Sequence, residues 1–206
     1  MKNTWRIILS GSGGQGMGVA GKILAEAAFL QGLNTTQSQT YGAGVRGDLS
    51  QSGIIISNED ILFPLIEKPD LLVILNNKSY GHFAPILNSN GARTILIYDQ
   101  DHAPPPKGKV NRLSYGFTVV NKAREIYSEK GACMVALGIL TGLWIPLDKT
   151  NVSQAIQEAF PGKTGLQNIK CFEEGLKLAE KKHPLRTSKP FVKGRNIFIF
   201  CFPLYL

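Results

Sequence analysis

The chain has 206 residues, 43% hydrophobic and 18% charged, which is enough for one well-packed core and ordinary for a globular protein. Its net charge of +8 is concentrated at one end. Residues 181–206 hold six of the 23 basic residues and no acid, which leaves 17 basic against 15 acidic residues before them. A nearly neutral body argues against nucleic-acid binding.

Cysteine usage and the first residues bear on the compartment. No signal peptide is visible, because the first apolar run is only three residues long and lies among charged and polar residues. Cys133, Cys171 and Cys201 are widely separated and match no metal or iron–sulfur spacing. We therefore predict buried thiols and a cytoplasmic protein.

The stretch Trp5–Ala28 predicts a strand, a glycine turn and a helix in immediate succession. The apolar run Ile7–Leu9 is typical of a buried strand, and Met17, Ala20 and Ile23 begin a helical repeat. The turn between them has a G-x-G-x-x-G pattern: Gly11, Ser12, Gly13, Gly14, Gln15, Gly16. This order is that of a βαβ nucleotide-binding fold.

The glycine turn has two interpretations. Free N–H groups at the start of the following helix favour a bound anion, which makes residues 11–16 a candidate cofactor-binding site. The alternative is close packing of strand against helix with no ligand. A dinucleotide site would also need an acid about 20 residues further on, but the next strand candidate, Asn34–Gln39, has none.

The rest of the chain predicts further strands and helices. Strands are expected at Asp48–Ser57, with Gly53 as a weak point or bulge, at Asp70–Leu75 and at Thr94–Tyr98. Helices are expected in five places: Asn76–Asn88, Phe117–Glu129, Cys133–Leu143, Val152–Phe160 and Ile169–Lys182. Alternating strands and helices predict a single Rossmann-like α/β domain with a mainly parallel sheet and helices on both faces.

The end of the chain differs from the rest. We predict a domain over residues 1–183 and a basic, then apolar, tail over 184–206. The final ten residues, IFIFCFPLYL, are too few to span a membrane, which takes about 20 apolar residues. An added edge strand, a buried subunit contact and a non-native end remain open, as does contact with a membrane surface.

No catalytic set stands out. His82, His102 and His183 lack Cys or His neighbours at metal-ligand spacing, and surface histidines are the default. The glycine turn lacks the Lys and Ser/Thr of a P-loop. We therefore predict no catalytic residue and no metal site in this chain.

Three stretches resemble the gamma subunit of 2-oxoacid:ferredoxin oxidoreductases. They are Ser10–Ala28, Gln39–Ile56 and Ile61–Leu75, and the specific marks are the G-x-GGQG turn and the YG-x-x-x-RG loop beginning at Tyr41. The likeness extends through Ala136–Gly138 to Asn168, Phe172 and Gly175. In the loop, Asp48 stands where the family usually has a second glycine, and Ala43-Gly44 replaces a usual Pro-Glu.

The resemblance implies a multi-subunit enzyme. Such enzymes decarboxylate a 2-oxoacid on thiamine diphosphate, pass electrons through iron–sulfur clusters to ferredoxin, and release an acyl-CoA. Thiamine diphosphate, Mg and the clusters are then expected on alpha and beta subunits, with a delta subunit left open, and this chain is expected to bind none of them alone. The turn looks closer to the 2-oxoglutarate type; pyruvate and branched-chain versions, or a free-standing NAD- or FAD-dependent oxidoreductase, are the alternatives.

The second glycine-rich loop is a candidate subunit interface. It contains Tyr41, Gly42, Arg46, Gly47 and Asp48. Tyrosine and arginine are enriched at the energetic centres of interfaces. We predict that this loop contacts a partner subunit, with Arg46 as the polar anchor; a self-contained surface loop is the alternative.

Overall fold

The computed structural model describes residues 3–41, 49–89, 93–105, 113–182 and 198–200. The strands are β1 (Thr4–Ser12), β2 (Asn34–Tyr41), β3 (Leu49–Ser57), β4 (Leu71–Ile74), β5 (Ile95–Asp99), β6 (Ser114–Phe117) and β7 (Phe198–Phe200). The helices are α1 (Met17–Leu30), α2 (Ser79–Leu87), α3 (Val119–Ile126), α4 (Ala132–Leu143), α5 (Lys149–Ala159) and α6 (Lys163–Lys182). A 3₁₀ turn at Glu129–Gly131 separates α3 from α4.

All seven strands form one sheet in the order β6-β5-β4-β1-β3-β2-β7. Only β3 runs against its neighbours; the other four pairings are parallel. The predicted α/β fold with a mainly parallel sheet is therefore confirmed. The apolar run of β4 is buried at every position, as expected of a strand covered on both faces.

Helices cover both faces of the sheet, as predicted. Side chains alternate along each strand, so Ile7 and Leu9 join the larger core with α1 and α3–α6, whereas Ile8 faces the smaller core. Tyr80 and Phe83 of α2 complete that smaller core. Within the described residues, no helix is both long and apolar enough to cross a bilayer.

The sequence-based element list was wrong in three places. Strands and helices do not alternate throughout, because β2 is followed directly by the antiparallel β3. Strand β6 was missed, and it takes Phe117 from the helix predicted to begin there. Gly53 makes no bulge: it pairs in unbroken register with Ile8 and Ser38.

The tail contributes a strand at the edge of the sheet. The backbone of Phe198–Phe200 pairs parallel with residues 35–37 of β2. This is the edge-strand interpretation among those left open by the sequence. The predicted domain boundary near residue 183 lies outside the described residues and stays a prediction.

Helices α4 and α6 cross at very short distance. A Cβ on Gly138 would come within 2.0 Å of the Phe172 carbonyl oxygen, and one on Gly175 within 2.1 Å of the Val135 carbonyl oxygen. The two glycines face each other, with 2.9 Å from each hypothetical Cβ to the other's Cα. Residues that the sequence offered only as marks of resemblance therefore form a close helix contact in the core.

Candidate functional site

The candidate site lies at the carboxyl ends of β1 and β4, the neighbouring strands at the middle of the sheet. From β1 the chain continues through α1 toward β2 on one side, and from β4 it continues through α2 toward β5 on the other. In open α/β sheets, ligands bind in the crevice formed where the strand order reverses in this way. We call the residues at this position, 12–16 and 76–79, the carboxyl-edge crevice.

The predicted glycine turn forms one wall of this crevice. The backbone N–H of Gln15 donates to the backbone carbonyl of Ser12 at 3.0 Å, which closes a tight turn at the end of β1. Gly14 has φ +96° and Gly16 has φ +78°, a left-handed conformation that side chains with a Cβ rarely adopt. Gly16 then caps α1, so strand, turn and helix occur in the predicted order.

The inside of the turn is filled by its own glutamine. Gln15 is 9% exposed, and its Oε1 accepts a hydrogen bond from the Ser12 amide at 2.7 Å. Gly11 provides the room, because a Cβ there would lie 2.6 Å from that oxygen. The close-packing interpretation therefore accounts for Gly11, while any ligand must approach from outside the turn.

The outer side of the turn offers an open groove of about 300 Å³. It runs from the turn along the first turns of α1 to β2 and β3, and is lined by Gly14, Gly16, Met17, Gly18, Val19, Lys22, Gln39 and Ser50. The first turn of α1 has no acid and no side-chain cap, so its N–H groups favour an anion. Lys22 adds a positive charge next to Glu26, 3.4 Å away. An anion contact by residues 11–16 stays a prediction.

The opposite wall carries polar side chains that the sequence analysis missed. Asn76, just beyond β4, donates from Nδ2 to the Ser12 hydroxyl. The Ser10 and Ser79 hydroxyls are hydrogen-bonded at 2.9 Å. The signal that could have found them is a polar residue directly after a continuous apolar strand, since such residues sit at the carboxyl edge of a parallel sheet.

Charged side chains continue the site away from the turn. Gln15 Nε2 lies 3.4 Å from Glu129 Oε1, and Glu129 Oε2 pairs with Arg124 at 2.8 Å. The hydrogen bond from Arg124 lowers the pKa of the Glu129 carboxyl below its usual value. Arg124 also contacts the His102 ring at 3.1 Å, so His102 belongs to this chain of contacts.

Asp99 ends this chain of contacts and organises the start of α3. Its Oδ2 accepts from the amides of Val119 and Val120, while Oδ1 accepts from the amides of Asp101 and His102. Among the described residues, Asp99, Asp101 and His102 form the one group with metal-ligand spacing. Because both oxygens of the fully buried Asp99 are already engaged, the group is a helix cap rather than a ready cation site.

Two cysteines are buried in the core, and the Sγ of Cys133 lies 3.1 Å from where a Cβ on Gly16 would be. Burial raises the pKa of the Cys133 thiol to about 12 and that of Cys171 to about 11. Both thiols are therefore protonated at neutral pH and poor nucleophiles. An iron–sulfur cluster usually takes four cysteine thiolates, and the described residues contain two cysteines. Cys201 lies outside the described residues.

The second glycine-rich loop begins and ends next to the glycine turn. Tyr41 closes β2 and pairs with Ser50, while Leu49 opens β3 and pairs with Ser12. Gly42, Arg46, Gly47 and Asp48 lie outside the described residues, so their interface role stays a prediction. The fold does bring the strand ends that flank this loop to the edge of the sheet where the glycine turn lies.

The sheet order is unfavourable for a dinucleotide. A dinucleotide-binding fold places a parallel second strand beside β1, with the ribose-binding acid at its carboxyl end. Here the strand beside β1, on the side away from β4, is β3. This strand runs antiparallel to β1 and begins, rather than ends, at the crevice. The missing acid and the strand order together argue against the NAD or FAD alternative.

Comparison with known proteins gives a consistent result. A family model described as pyruvate ferredoxin/flavodoxin oxidoreductase matches residues 6–178. The chain is 33% identical to 2-oxoglutarate synthase subunit KorC of Archaeoglobus fulgidus, over 90% of this chain and 91% of that one. The KorC subunit of Methanocaldococcus jannaschii is 34% identical, over 85% and 94%.

Two further matches differ in length. The chain is 32% identical to the ketoisovalerate oxidoreductase subunit VorA of Methanothermobacter thermautotrophicus over 85% of its own length, but spans 36% of VorA. It is 30% identical, with TM-score 0.72, to the gamma subunit of a keto/oxoacid ferredoxin oxidoreductase from Geobacter sulfurreducens, over 87% and 98%.

The fold also matches a 2-oxoglutarate:ferredoxin oxidoreductase from Magnetococcus marinus solved with 2-oxoglutarate, coenzyme A and succinyl-CoA bound. The TM-score is 0.79 at 21% identity, over 95% of this chain and 34% of that one.

Proposed function

This chain belongs to the pyruvate ferredoxin/flavodoxin oxidoreductase family, and we propose that it is the gamma subunit of a 2-oxoglutarate:ferredoxin oxidoreductase complex. The complex would convert 2-oxoglutarate and coenzyme A to succinyl-CoA and CO₂, with ferredoxin accepting the electrons. One observation carries the proposal: the chain spans more than nine tenths of two separate KorC subunits at 33–34% identity.

The choice of 2-oxoacid rests on the two KorC relatives, which this chain matches over nearly their whole length. VorA is nearly as similar in sequence, but this chain spans only about a third of it. Branched-chain 2-oxoacids, and pyruvate, are the competing substrates of the proposal.

The redox cofactors are assigned to other subunits. The described part of this chain contains two cysteines, Cys133 and Cys171, fewer than the four thiolates that an iron–sulfur cluster usually takes. Thiamine diphosphate, Mg and the clusters would reside on alpha and beta subunits, with or without a delta subunit. The complex would be cytoplasmic, in keeping with two free thiols in the core.

The contribution of this chain would be assembly and an anion contact. The N–H groups at the start of α1 and the Lys22 ammonium line the groove beside the glycine turn, and together they suit a phosphate of coenzyme A. Loop 41–48 starts and ends beside that groove and would contact the partner subunit. No residue of this chain would make or break a bond in the conversion of the 2-oxoacid.

A tagged chain purified from its native cell tests the function. We expect it to bring subunits that carry thiamine diphosphate and iron–sulfur clusters, in a complex that reduces ferredoxin or viologen when given 2-oxoglutarate and coenzyme A. The isolated chain should show no such activity, even with thiamine diphosphate added. Recovery of the chain alone, or activity of the isolated chain, would contradict the proposal.

Substrate choice is tested on the same complex. Rates with 2-oxoglutarate, pyruvate and 2-oxoisovalerate should differ, with 2-oxoglutarate giving the highest kcat/KM. A higher kcat/KM for either of the other two would keep the subunit assignment and change the substrate.

A further inference from the structure

The connection from β3 to β4 lies across part of the sheet that α2 does not cover. We call residues 61–67 of this connection the apolar ridge. Ile66 anchors it: this side chain packs against the smaller core, 3.3 Å from where a Cβ on Gly53 would be. The absence of a side chain at Gly53 therefore lets Ile66 pack closely against the sheet.

Three large apolar side chains of the ridge are turned toward solvent. Leu62 is 94% exposed, Phe63 58% and Leu65 42%. Among the described residues, seven large apolar side chains are exposed, and three of them lie within the four consecutive positions 62–65. Single exposed apolar residues are ordinary, whereas a cluster on one surface is typical of an interaction site.

Grooves flank the ridge on both sides. One, of about 340 Å³, lies between Phe63, Leu65 and the open sheet face formed by Ile8, Ser38, Thr40, Gln51 and Gly53. The other, of about 460 Å³, lies between the same two ridge residues and Arg6, Glu67, Lys68 and Asp70. The arrangement has an apolar centre and a polar rim, the anatomy of a protein–protein interface.

The charges of the rim point to a protein rather than to a polyanion or a membrane. Arg6 and Lys68 are matched by Glu67 and Asp70, so this rim has no net charge. A nucleic acid or an anionic lipid surface would favour an excess of positive charge. A partner protein with charges of both signs is compatible with a balanced rim.

The longer relatives indicate which partner protein binds at the ridge. VorA and the Magnetococcus marinus chain each contain a unit like this one within a polypeptide about three times as long. In those relatives the unit is joined covalently to a larger remainder. A separate gamma chain has to hold the equivalent of that remainder by surface contacts alone.

We propose that the apolar ridge and the sheet face beside it dock this chain on the larger subunit equivalent to that remainder. The inference rests on the proposed function, and it adds a second contact surface to the predicted loop 41–48. The partner is expected to bury Leu62, Phe63 and Leu65 beneath apolar side chains of its own.

Aspartate substitutions in the tagged chain, produced in its native cell, test the surface. Leu62→Asp replaces a side chain that is already 94% exposed, so the monomer should fold as before. Phe63→Asp is matched by Leu166→Asp on α6, because the two side chains are 58% and 59% exposed. Thermal melting of each purified chain checks that the fold is kept.

We expect Leu62→Asp and Phe63→Asp to lower recovery of the larger subunit by roughly tenfold or more, as for a residue near an interface centre. Leu166→Asp should recover it as the unchanged chain does. Recovered 2-oxoglutarate-dependent reduction of viologen should fall in parallel.

Three outcomes would overturn the inference, and they are distinguishable. If the unchanged chain recovers no such subunit, the proposed function fails and the docking surface with it. If the unchanged chain and both ridge variants recover the subunit equally, the docking surface alone is wrong. If the purified chain is a dimer that Leu62→Asp makes monomeric while subunit recovery is unaffected, the ridge binds a second copy instead.

Discussion

At the residue scale, Gln15 shows that a glycine-rich turn can be filled by one of its own side chains rather than by a ligand. Its side chain occupies the inside of the turn and satisfies the Ser12 amide at 2.7 Å. The backbone of the turn is therefore held by a local contact that no ligand has to supply. A bound anion would add to this arrangement from the side of α1.

Replacing Gln15 should weaken the fold measurably. Gln15→Ala leaves the Ser12 amide without its acceptor in a half-buried place, and an unpaired buried donor costs about 1–3 kcal/mol. Urea unfolding of the purified chain measures the loss. Gln154→Ala, which removes only an exposed contact with Glu158, is the control and should change stability by less than about 0.5 kcal/mol. Equal stability of the two variants would mean that water replaces the glutamine without cost.

Arg46 remains the predicted anchor of the second glycine-rich loop. A guanidinium offers five donors in a rigid fork, which suits a carboxylate or phosphate on a partner chain or on coenzyme A. Arg46→Ala should cost on the order of 2–4 kcal/mol of association, a factor of roughly 30–1,000 in affinity. Monomer stability should change by no more than about 0.5 kcal/mol.

Titration of complex assembly against chain concentration measures the effect of Arg46→Ala, with urea unfolding of the monomer alongside. A monomer that unfolds much more easily would make Arg46 an internal structural residue. A complex that forms and turns over unchanged would make it an ordinary solvated side chain.

At the element scale, the crossing of α4 and α6 sets the shape of the larger core. Eleven of the twelve residues of α4 are buried, so the helix has no solvated face to absorb a change in spacing. Gly138 and Gly175 let the two backbones approach until side-chain atoms of one would meet carbonyl oxygens of the other. Protein cores are packed too densely to take up such a clash by small shifts.

A methyl group at this crossing should be costly. Gly138→Ala puts a Cβ where the Phe172 carbonyl oxygen is 2.0 Å away, so the helices must separate, and we expect a loss of about 2 kcal/mol or more. Gly81→Ala in α2 is the control, because no atom lies within 4 Å of a Cβ there. It should be neutral or stabilising by up to about 1 kcal/mol, since alanine favours a helix over glycine. Thermal or urea unfolding that ranks the two variants the other way would contradict the crossing.

At the scale of the whole molecule, the sheet is asymmetric in what covers it. One face is covered by five helices, whereas α2 and the apolar ridge share the other. The apolar ridge thus marks the side on which we expect the larger subunit, and the tail strand β7 marks the edge beyond β2. We expect both features to contribute less to the stability of the single chain than its two cores do.

Removing the tail tests this separation. Among the described residues the tail contributes three paired positions at the edge of the sheet, and we expect deletion of residues 190–206 to leave the Tm within a few degrees. Solubility should improve, because an apolar strand-like segment at an edge promotes aggregation. Differential scanning calorimetry and the concentration at which the chain precipitates measure the two effects. A large fall in Tm would show that the tail is part of the folded body.

The sequence by itself determined the class of fold, the family resemblance and the order of strand, turn and helix at residues 5–28. These follow from local signals: apolar runs that suit covered strands, a helical repeat, and glycines that permit left-handed turns. The near-neutral body and the missing ribose-binding acid likewise needed no structure.

Only the tertiary structure decided what these elements do together. Insertion of the antiparallel β3 beside β1, contact between Gly138 and Gly175, and pairing of Asn76 with Ser12 join residues far apart in the chain. The exposure of Leu62 and the inward-facing Ile66 are of the same kind, since six consecutive apolar residues do not by themselves show which of them is buried. Local propensity is summed along the chain, whereas burial and contact depend on which distant segment packs against each residue.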